Sequence, residues 1–257
     1  MARLKTKEEI VILKEAGRRL SAVLRATAGL VKPGITTLEL DKFAEKLIRQ
    51  GGDLPAFLGY KPNFSPRAFP ASLCTSVNDE VVHGIPSKRG LIAGDIVGLD
   101  LGLMHKGLYV DMAMTVAVGK IDETDEKLIE ATKQALMVGV AVLRDGARMG
   151  DIGAAIEAVA DRAGFGVVRE LGGHGVGHEI HEEPFIPHFG KRGKGEMLEE
   201  NMVVCIEPQL NIGRGDVIFD EADGYTVRTS DGSKSAHFEL TVAIGKNGPQ
   251  ILTPPSW

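Results

Sequence analysis

Two copies of one pattern run along the chain, and this repeat limits the possible folds more than any other feature. Residues 115–120 read TVAVGK and residues 241–246 read TVAIGK. Further upstream, IVGLD at 96–100 matches VVCIE at 203–207, and each of these segments ends in a carboxylate. A match at two places in the same order indicates a duplicated unit and not a chance likeness of Val- and Ala-rich strands.

The segments before these strands also correspond. Helical spacing of apolar residues covers 8–30 and 123–144, and both contain the tripeptide VLR. A second amphipathic segment follows each, at 37–50 and 151–163, with a Thr or Asp placed to cap its start and a Gly to end it. We therefore predict a single domain over residues 1–257, built from two helix–helix–strand–strand halves at about 8–120 and 123–246.

The predicted strands at 96–104 and 109–118 have two very different faces, because side chains alternate along a strand. One face carries bulky apolar residues, which we expect to pack against the helices. The other face holds Gly98, Asp100, Gly102, Asp111, Ala113, Thr115 and Ala117. In the second half the corresponding face holds Cys205, Glu207, Glu239, Thr241 and Ala243. Small residues around the acids leave room for ions and a ligand.

A turn centred on His105 and Lys106 would place Asp100 directly opposite Asp111. Cross-strand partners have Cβ atoms roughly 4.5–5.5 Å apart, and like charges at that distance are destabilising. Two carboxylates about 5 Å apart repel by roughly 3 kcal/mol at an effective dielectric constant near 20. A shared proton, a pair of basic residues or a metal cation must offset this repulsion.

A pseudo-twofold relation between the halves would bring four carboxylates together, those of Asp100, Asp111, Glu207 and Glu239. One or two shared protons would neutralise four carboxylates poorly. We therefore favour a metal site over a proton-sharing acid pair, which is the alternative.

The segment ELGGHGVGHEIHEEP at 170–184 supplies the histidines. Glycines around His174 allow a close approach to a ligand, so we expect His174 near the metal and His181 further along the loop or strand. We interpret His178 as a surface or loop histidine. The HExxH zinc motif is absent, because Glu182 stands where its second histidine would be.

One imidazole and four carboxylates form a hard, oxygen-rich ligand set. Such a set favours Mn²⁺, Fe²⁺ or Co²⁺ in five- or six-coordinate geometry, with Zn²⁺ as an alternative, over a closed thiolate zinc site. Two cations about 3.5–4 Å apart could share bridging carboxylates and a water or hydroxide nucleophile.

Charge and cysteine content exclude several function classes. A net charge of −5 gives no support to DNA binding. Cys74 and Cys205 form neither a disulfide framework nor a CxxC pair, and no apolar run near the start suits a signal peptide or membrane span. We expect a cytoplasmic protein. The GKRGKG segment at 190–195 is interpreted as a solvated loop, with RNA contact as the alternative.

At this point the residues resemble a known family, the type I methionine aminopeptidases of the pita-bread (creatinase-like) metallopeptidases. The resemblance covers nearly the whole chain. It is carried by NDEVVHGIP at 78–86, GGHGVG at 172–177, and Asp100, Asp111, His174, Glu207 and Glu239. It implies an α+β pita-bread fold, in which a pseudo-twofold pair of ααββ units forms an antiparallel sheet with helices packed on its outer face.

The resemblance also implies roles for the ligands of a dinuclear site. Asp111 and Glu239 would bridge two divalent metal ions, Asp100 would complete one ion, and His174 with Glu207 would complete the other. Glu207 would also accept a proton from the bridging water as general base.

Two further histidines receive roles from the same resemblance. His181 resembles the histidine that hydrogen-bonds the scissile carbonyl and the developing oxyanion. His83 resembles the histidine beside the substrate, whereas by itself it would be an ordinary loop histidine before Gly-Ile-Pro.

A pocket for the methionine side chain follows from the same matching, since an unbranched thioether suits an aromatic, polarisable lining. The candidate residues are Phe57, Tyr60, Phe69, Cys74, Ile180 and Tyr225. Ile180 stands where an aromatic residue is common in the family, and Tyr225 stands where Trp is frequent. The stretch 61–70 is longer than in many members.

The resemblance implies removal of the initiator methionine from nascent proteins, with small second residues favoured. The α-amine would bind the metals and a hydroxide would attack the first peptide carbonyl. Partners would be nascent chains and, transiently, the ribosome, and we expect a monomer. Cleavage of Xaa-Pro bonds is one alternative, although the chain is too short for the N-terminal domain typical of such enzymes. A non-catalytic module that keeps the fold is another, although such proteins generally lose ligands.

Overall fold

The structure is a computed structural model that describes residues 2–62, 65, 67–255 and 257. The described residues form four helices: α1 (Lys7–Ala28), α2 (Thr37–Gln50), α3 (Glu123–Ala141) and α4 (Met149–Ala163). The helix predicted at 123–144 ends early, at Ala141, although Leu143 is fully buried. The apolar spacing therefore continues into the turn after the helix, which is why the sequence pattern predicted a longer helix.

Capping boxes define the starts of α1 and α2. Thr6 Oγ1 accepts a hydrogen bond from Glu9 N (3.1 Å), and the Glu9 carboxylate accepts one from Thr6 N (2.8 Å). Thr36 and Glu39 repeat this arrangement, so the cap of α2 lies one residue before the predicted Thr37. α4 starts before the predicted residue, and the Asp151 side chain accepts from the backbone N–H that precedes the helix.

The described residues also form short and long strands. In chain order these are β1 (Leu54–Pro55), β2 (Leu73–Val77), β3 (Glu80–Val82), β4 (Ile96–His105), β5 (Leu108–Ala117), β6 (Gly166–Val167), β7 (Gly172–Gly175), β8 (Glu182–Pro187), β9 (Val203–Ile206), β10 (Gln209–Asn211), β11 (Val217–Phe219), β12 (Val227–Thr229), β13 (Ser235–His237), β14 (Glu239–Gly245) and β15 (Gly248–Ile251).

The main sheet is antiparallel and has the order β1-β4-β5-β14-β9-β7-β8, with β2 paired to β4 and β15 paired to β14. At its centre β5 of the first half pairs with β14 of the second. On either side of this pair stand β4 and β9, the strands that carry the matching IVGLD and VVCIE segments. The predicted α+β pita-bread fold, with its pseudo-twofold pair of ααββ units, is confirmed.

Helices cover one face of this sheet. α1 packs on β4 and β5, and α3 packs on β9 and β14. The bulky side chains of the strands, such as Leu99, Leu101 and Leu240, are fully buried against them. Burying apolar surface in this layer is the main stabilising contribution to the fold, and it directs the small, acidic face of the same strands away from the helices.

The predicted register of the β4–β5 hairpin is wrong by two residues. His105 belongs to β4 and pairs with Leu108, so the turn residues are Lys106 (φ 50°) and Gly107 (φ 82°). Positive φ at both positions is the type I′ turn, which matches the twist of a two-residue hairpin and favours Gly at the second position. The His105 ring is also held by Asp53, at 2.7 Å between Nδ1 and Oδ1.

As a consequence, Asp100 pairs with Ala113 and Asp111 pairs with Gly102, so the two acids are diagonal neighbours and not directly opposed. A shift of two residues preserves the face on which each side chain lies. Asp100 and Asp111 therefore still share one face, and one oxygen of each carboxyl group lies within 4.8 Å of one oxygen of the other.

None of the helices within the described ranges is both long enough and apolar enough to cross a membrane.

Candidate metal centre and active site

Three adjacent strands bring three of the predicted acids together. Asp100 on β4 pairs with Ala113 on β5, and Ala113 in turn pairs with Glu239 on β14. Asp111 lies two residues from Ala113 on the same face of β5. One oxygen from each acid lies within 4.8 Å of one oxygen from each of the others. The small Ala113 side chain leaves space between these carboxylates.

A threonine of the second half holds the backbone of Asp111. Thr241 Oγ1 accepts a hydrogen bond from Asp111 N (2.9 Å) and donates one to Asp111 O (2.7 Å). Thr241 also pairs with Cys205 on β9. The central strands of the two halves are thus joined at the residue whose side chain enters the acid cluster.

Glu207 follows the last residue of β9 and lines the same cavity as the other acids. Its Oε2 accepts a hydrogen bond from Gln209 Nε2 (3.1 Å). Its Oε1 lies 3.4 Å from His174 Nε2. Asp100, Asp111, Glu207, Glu239 and His174 therefore meet in one place, as the sequence predicts.

His174 is oriented by its own strand. Its Nδ1 donates to Gly175 O (2.9 Å), because a carbonyl oxygen can only accept, so Nε2 is left as the lone-pair nitrogen that faces Glu207. β7 runs very close to its neighbour: a Cβ on Gly173 would lie 2.2 Å from Cys205 O. The glycines on either side of His174 are therefore required by backbone packing.

Burial shifts the pKa values of the cluster. Burial and the neighbouring carboxylates raise the pKa of Asp100, Glu207 and Glu239 well above the usual range. Burial raises the pKa of Asp111 to about 7. Burial lowers the pKa of His174 to about 4, so its imidazole is neutral at pH 7 and able to ligate. The acids can all be ionised only if positive charge is supplied.

The cluster fits divalent cations. Among the residues that the structure describes, no Lys or Arg lines the cavity around it. Asp100 Oδ1 and Glu239 Oε1 are buried and have no hydrogen-bond partner. A pair of basic residues is thereby excluded as the source of positive charge within this part of the chain. Carboxylate oxygens with one neutral imidazole are the donors that Mn²⁺, Fe²⁺ and Co²⁺ accept.

His181 lies at the mouth of the cavity and is exposed. Its ring packs edge-on against that of His174, with the centroids 4.5 Å apart, and its Nδ1 lies 2.9 Å from Tyr60 Oη. The predicted placement further along the same loop agrees with this position, in the turn that precedes β8. Desolvation of the ring by the walls of the cavity lowers the pKa of His181, and the nearby His174 and His83 lower it further.

His83 follows β3 and lines the same cavity. Its backbone has φ 60°, a left-handed conformation that few non-glycine residues adopt. Burial lowers its pKa to about 4, so the ring is neutral at pH 7. A local reading of the sequence would leave His83 in an ordinary loop, whereas the structure places it at the cavity with His174 and His181.

Five of the six predicted pocket residues line the cavity that contains the acids, which has a volume of about 440 Å³. Phe57 and Phe69 meet edge to face with centroids 6.5 Å apart, and Phe69 meets Tyr225 at 5.1 Å. Tyr60 and Cys74 complete the predicted set at the cavity. Ile180 is buried but does not line the cavity, which corrects its assignment as a pocket residue.

Ile180 instead lies beneath the pocket. A Cβ on Gly102 would be 2.8 Å from Phe57 Cε1 and 3.2 Å from Ile180 Cδ1, so both side chains pack over the hairpin backbone. The Tyr225 hydroxyl donates to Arg67 O and thereby fixes that ring at the edge of the cavity. Asn63, Phe64 and Pro66 of the 61–70 stretch lie outside the described residues.

Several lining residues were not predicted from the sequence. They are Pro62, Val82, Glu170, Leu171, Gly172 and Phe185. Val82 directly precedes His83, and the segment from Glu170 to Gly172 directly precedes the glycines at His174. Adjacency to predicted site residues was the signal available for Val82 and for residues 170–172.

Comparison with known proteins agrees with this geometry. Residues 11–246 match metallopeptidase family M24. The methionine aminopeptidase of Aquifex aeolicus (strain VF5) is 45% identical over 255 residues, which cover 97% of this chain and 98% of the relative. The crystal structure of methionine aminopeptidase from Rickettsia prowazekii superposes with a TM-score of 0.95 at 37% identity, covering 99% of this chain and 100% of that one.

The fold is also shared with a more distantly related enzyme. The prolidase from Pyrococcus furiosus superposes with a TM-score of 0.78 at 25% identity, and the match covers 98% of this chain but 65% of that chain. Full-length coverage at high identity is thus found with the methionine aminopeptidases. The chain belongs to metallopeptidase family M24 and, within it, to the methionine aminopeptidases.

Proposed function

We propose that this chain is a methionyl aminopeptidase, which hydrolyses the peptide bond after an N-terminal methionine with the help of two divalent metal ions. The observation that carries the proposal is the arrangement of one cavity. Carboxylates and a neutral imidazole meet at one side of it, and Phe57, Phe69 and Tyr225 line another. The polar side suits the α-amine and the peptide carbonyl, and the aromatic side suits a thioether.

The proposed metal ligands are those that the family resemblance implies. Asp111 and Glu239 would be shared by both ions, with Asp100 completing one site and His174 and Glu207 completing the other. Divalent cations held there would lower the pKa of a water and polarise the scissile carbonyl. The oxygen-rich set favours Mn²⁺, Fe²⁺ or Co²⁺, with Zn²⁺ as the alternative.

Glu207 is the proposed general base. Gln209 donates to one of its oxygens, while the other faces His174, so the carboxylate has a fixed orientation. A carboxylate held in this orientation can accept a proton from the attacking water and pass it on to the leaving amine.

His181 is the proposed donor to the carbonyl oxygen as negative charge develops there. If the Tyr60 hydroxyl donates to His181 Nδ1, the ring carries its proton on Nε2 and can donate from that atom. His83 lies in the same cavity and is proposed to contact the substrate next to the scissile bond.

The proposed pocket for the methionine side chain contains Phe57, Tyr60, Phe69, Cys74 and Tyr225. A cavity of about 440 Å³ must take both this side chain and the first peptide bond. The family resemblance implies a preference for small second residues, and we include this preference in the proposal. The substrates would be nascent polypeptides in the cytoplasm, met by a monomer in transient contact with the ribosome.

A metal-titrated assay on Met-Ala-Ser tests the proposal. We expect methionine release that depends on added Mn²⁺ or Co²⁺, is abolished by a chelator, and is lost in Asp111→Ala. Asp216→Ala, which changes an exposed aspartate, is the matched control and should keep wild-type turnover. Wild-type turnover in Asp111→Ala would show that Asp111 is not a bridging ligand.

The same assay separates the second candidate function. Prolidase-like cleavage is favoured by one observation, the likeness of fold to the Pyrococcus furiosus enzyme. Preference for an Ala-Pro substrate over Met-Ala-Ser would support that function and reject ours. A complete lack of chelator-sensitive peptidase activity would indicate a non-catalytic protein.

A further inference from the structure

A buried lysine ties the start of the chain to the loop that carries His181. Lys5 is 3% exposed, an unusual state for a lysine. Its Nζ donates to Glu182 Oε2 (2.7 Å) and to Arg3 O (2.8 Å), and its backbone N donates to Asn201 O (2.9 Å). Because both charges of the Lys5–Glu182 pair are largely removed from water, the pair holds one geometry and not many.

Glu182 uses its other oxygen to organise the turn before it. Its Oε1 accepts hydrogen bonds from His178 N (2.5 Å) and Glu179 N (2.9 Å). This turn spans residues 178–181, directly before β8, and contains His181. The Glu182 carboxylate is therefore bonded on one side to the turn and on the other to Lys5. Although burial raises the pKa of Glu182, the Lys5 hydrogen bond and these backbone N–H groups leave it below its usual value.

Two more contacts join the same segments. His178 Nε2 lies 2.6 Å from Glu9 Oε1, in the first turn of α1. The aliphatic part of Lys5 packs on Gly177, where a Cβ would lie 2.3 Å from Lys5 Cε. His178, interpreted from the sequence as a surface or loop histidine, is thus a contact between α1 and the turn. We call residues 3–9 the N-terminal strap.

We propose that Lys5 and Glu182 are positioning residues for His181, and that the N-terminal strap holds the 178–181 turn so that the His181 ring stays against His174 and Tyr60. Neither Lys5 nor Glu182 touches the substrate in this proposal. The effect on turnover rests on the proposed function, in which His181 donates to the carbonyl oxygen. The effect on the turn itself does not depend on that function.

Hydrogen exchange tests the strap without any use of activity. In Lys5→Met, Glu182 loses the partner that fixes it, so we expect the amides of His178 and Glu179 to exchange at least about tenfold faster than in the wild type, with or without Mn²⁺. Glu182→Gln removes the negative charge of the same pair, and we expect it also to make these two amides exchange faster. Lys127→Met, which removes an exposed lysine of α3, is the matched control and should change neither amide. Unchanged exchange in both strap variants would overturn the proposal.

A double-mutant cycle tests whether the strap acts through His181. On Met-Ala-Ser with metal added, we expect Lys5→Met to lower kcat by about tenfold or more while KM changes little, because the pocket for the methionine side chain is built from other segments. In a His181→Ala background, the same Lys5→Met change should have almost no further effect on kcat.

An equal loss of kcat in both backgrounds would overturn the proposal, since it would show a general structural role for Lys5. Failure of the wild type to release methionine would reject the proposed function instead. In that case the exchange experiment still decides whether the strap holds the turn.

Discussion

At the scale of single residues, one hydrogen-bond partner occupies one ring nitrogen of His174, and another occupies one ring nitrogen of His181. His174 Nδ1 donates to a backbone carbonyl, which leaves Nε2 to face Glu207. His181 Nδ1 contacts the Tyr60 hydroxyl. Each contact occupies one ring nitrogen and so leaves the other for ligation or for donation to a substrate. Loss of one such neighbour should therefore change catalysis more than it changes stability.

The first prediction concerns His181. Removal of one donor to a developing oxyanion typically costs about 10²–10³ in kcat. We expect a loss of this size in His181→Ala, with KM on Met-Ala-Ser little changed, measured by steady-state kinetics with saturating Mn²⁺. Tyr60→Phe keeps the ring but removes the hydroxyl, and should lose less. Near-wild-type kcat in His181→Ala would exclude the assigned role.

The second prediction concerns pH and the stability of the metal-free protein. The pKa of Asp111 is about 7 in the fold and 3.8 for an ordinary aspartate, so the folded state binds this proton more tightly than the unfolded state. Its contribution to the unfolding free energy therefore falls as pH rises between those values. We expect metal-free Asp111→Asn to become increasingly more stable than the wild type as pH rises from 4 to 7.

Asp231→Asn is the control, because the contribution of Asp231 to the unfolding free energy changes with pH in the opposite direction. Hydrogen bonds from Ser233 and Arg214 lower the pKa of Asp231 to about 2, so its favourable contribution is present above pH 4 and is lost as pH falls towards 2. Chelated samples followed by thermal unfolding over this pH range measure both differences. A difference for Asp111→Asn that does not vary with pH would contradict the assigned shift.

At the scale of elements, the β4–β5 hairpin decides how the acids meet. Its turn residues, Lys106 and Gly107, both have positive φ, and this turn determines that Asp100 pairs with Ala113. Gly adopts such a conformation at no steric cost, whereas a residue with a Cβ is strained there. The turn chemistry and the cross-strand pairing therefore depend on one another.

The third prediction follows from that turn. We expect Gly107→Ala to lower the free energy of unfolding by about 1 kcal/mol, because Ala tolerates this φ poorly. Lys106→Asn should instead raise it by a few tenths of a kcal/mol, since Asn-Gly is the preferred type I′ pair. Urea unfolding monitored by circular dichroism measures both. Equal effects of the two changes would show that the turn conformation does not limit stability.

At the scale of the whole molecule, the proposed ligands come from both halves of the duplicated chain. Asp100 and Asp111 belong to the first half, and His174, Glu207 and Glu239 to the second. Between the halves, β5 pairs with β14 at the centre of the sheet. Cations bound at this junction would cross-link the halves and bind the folded state only.

The fourth prediction is therefore a metal-dependent rise in Tm. A ligand at 100 times its Kd stabilises the fold that binds it by about 2.7 kcal/mol. We expect Mn²⁺ to raise Tm, a chelator to reverse the rise, and Glu239→Gln to reduce it, as measured by calorimetry. The exposed Asp216→Ala variant should retain the full shift. A Tm that does not respond to metal in the wild type would contradict the assigned centre.

The order of elements and the faces of the strands were determined by the sequence itself. Alternation along β4, β5 and β14 places Asp100, Asp111 and Glu239 on the small-residue face whatever the exact register, because an error of two residues leaves the face unchanged. That is why the predicted hairpin was wrong in register while the acids still meet. The repeat predicted two helix–helix–strand–strand halves, and the resemblance to the type I methionine aminopeptidases implied the pita-bread fold.

Only the tertiary structure decided how distant segments contact one another at the site. Phe57, Phe69 and Tyr225 meet at one wall although they are far apart in sequence, and Lys5 reaches Glu182 across 177 positions. His83 has no local pattern that distinguishes it from an ordinary loop histidine. Short-range periodicity reports which face a side chain takes, whereas contacts between remote segments depend on how the sheet curls and how the connections pack over it.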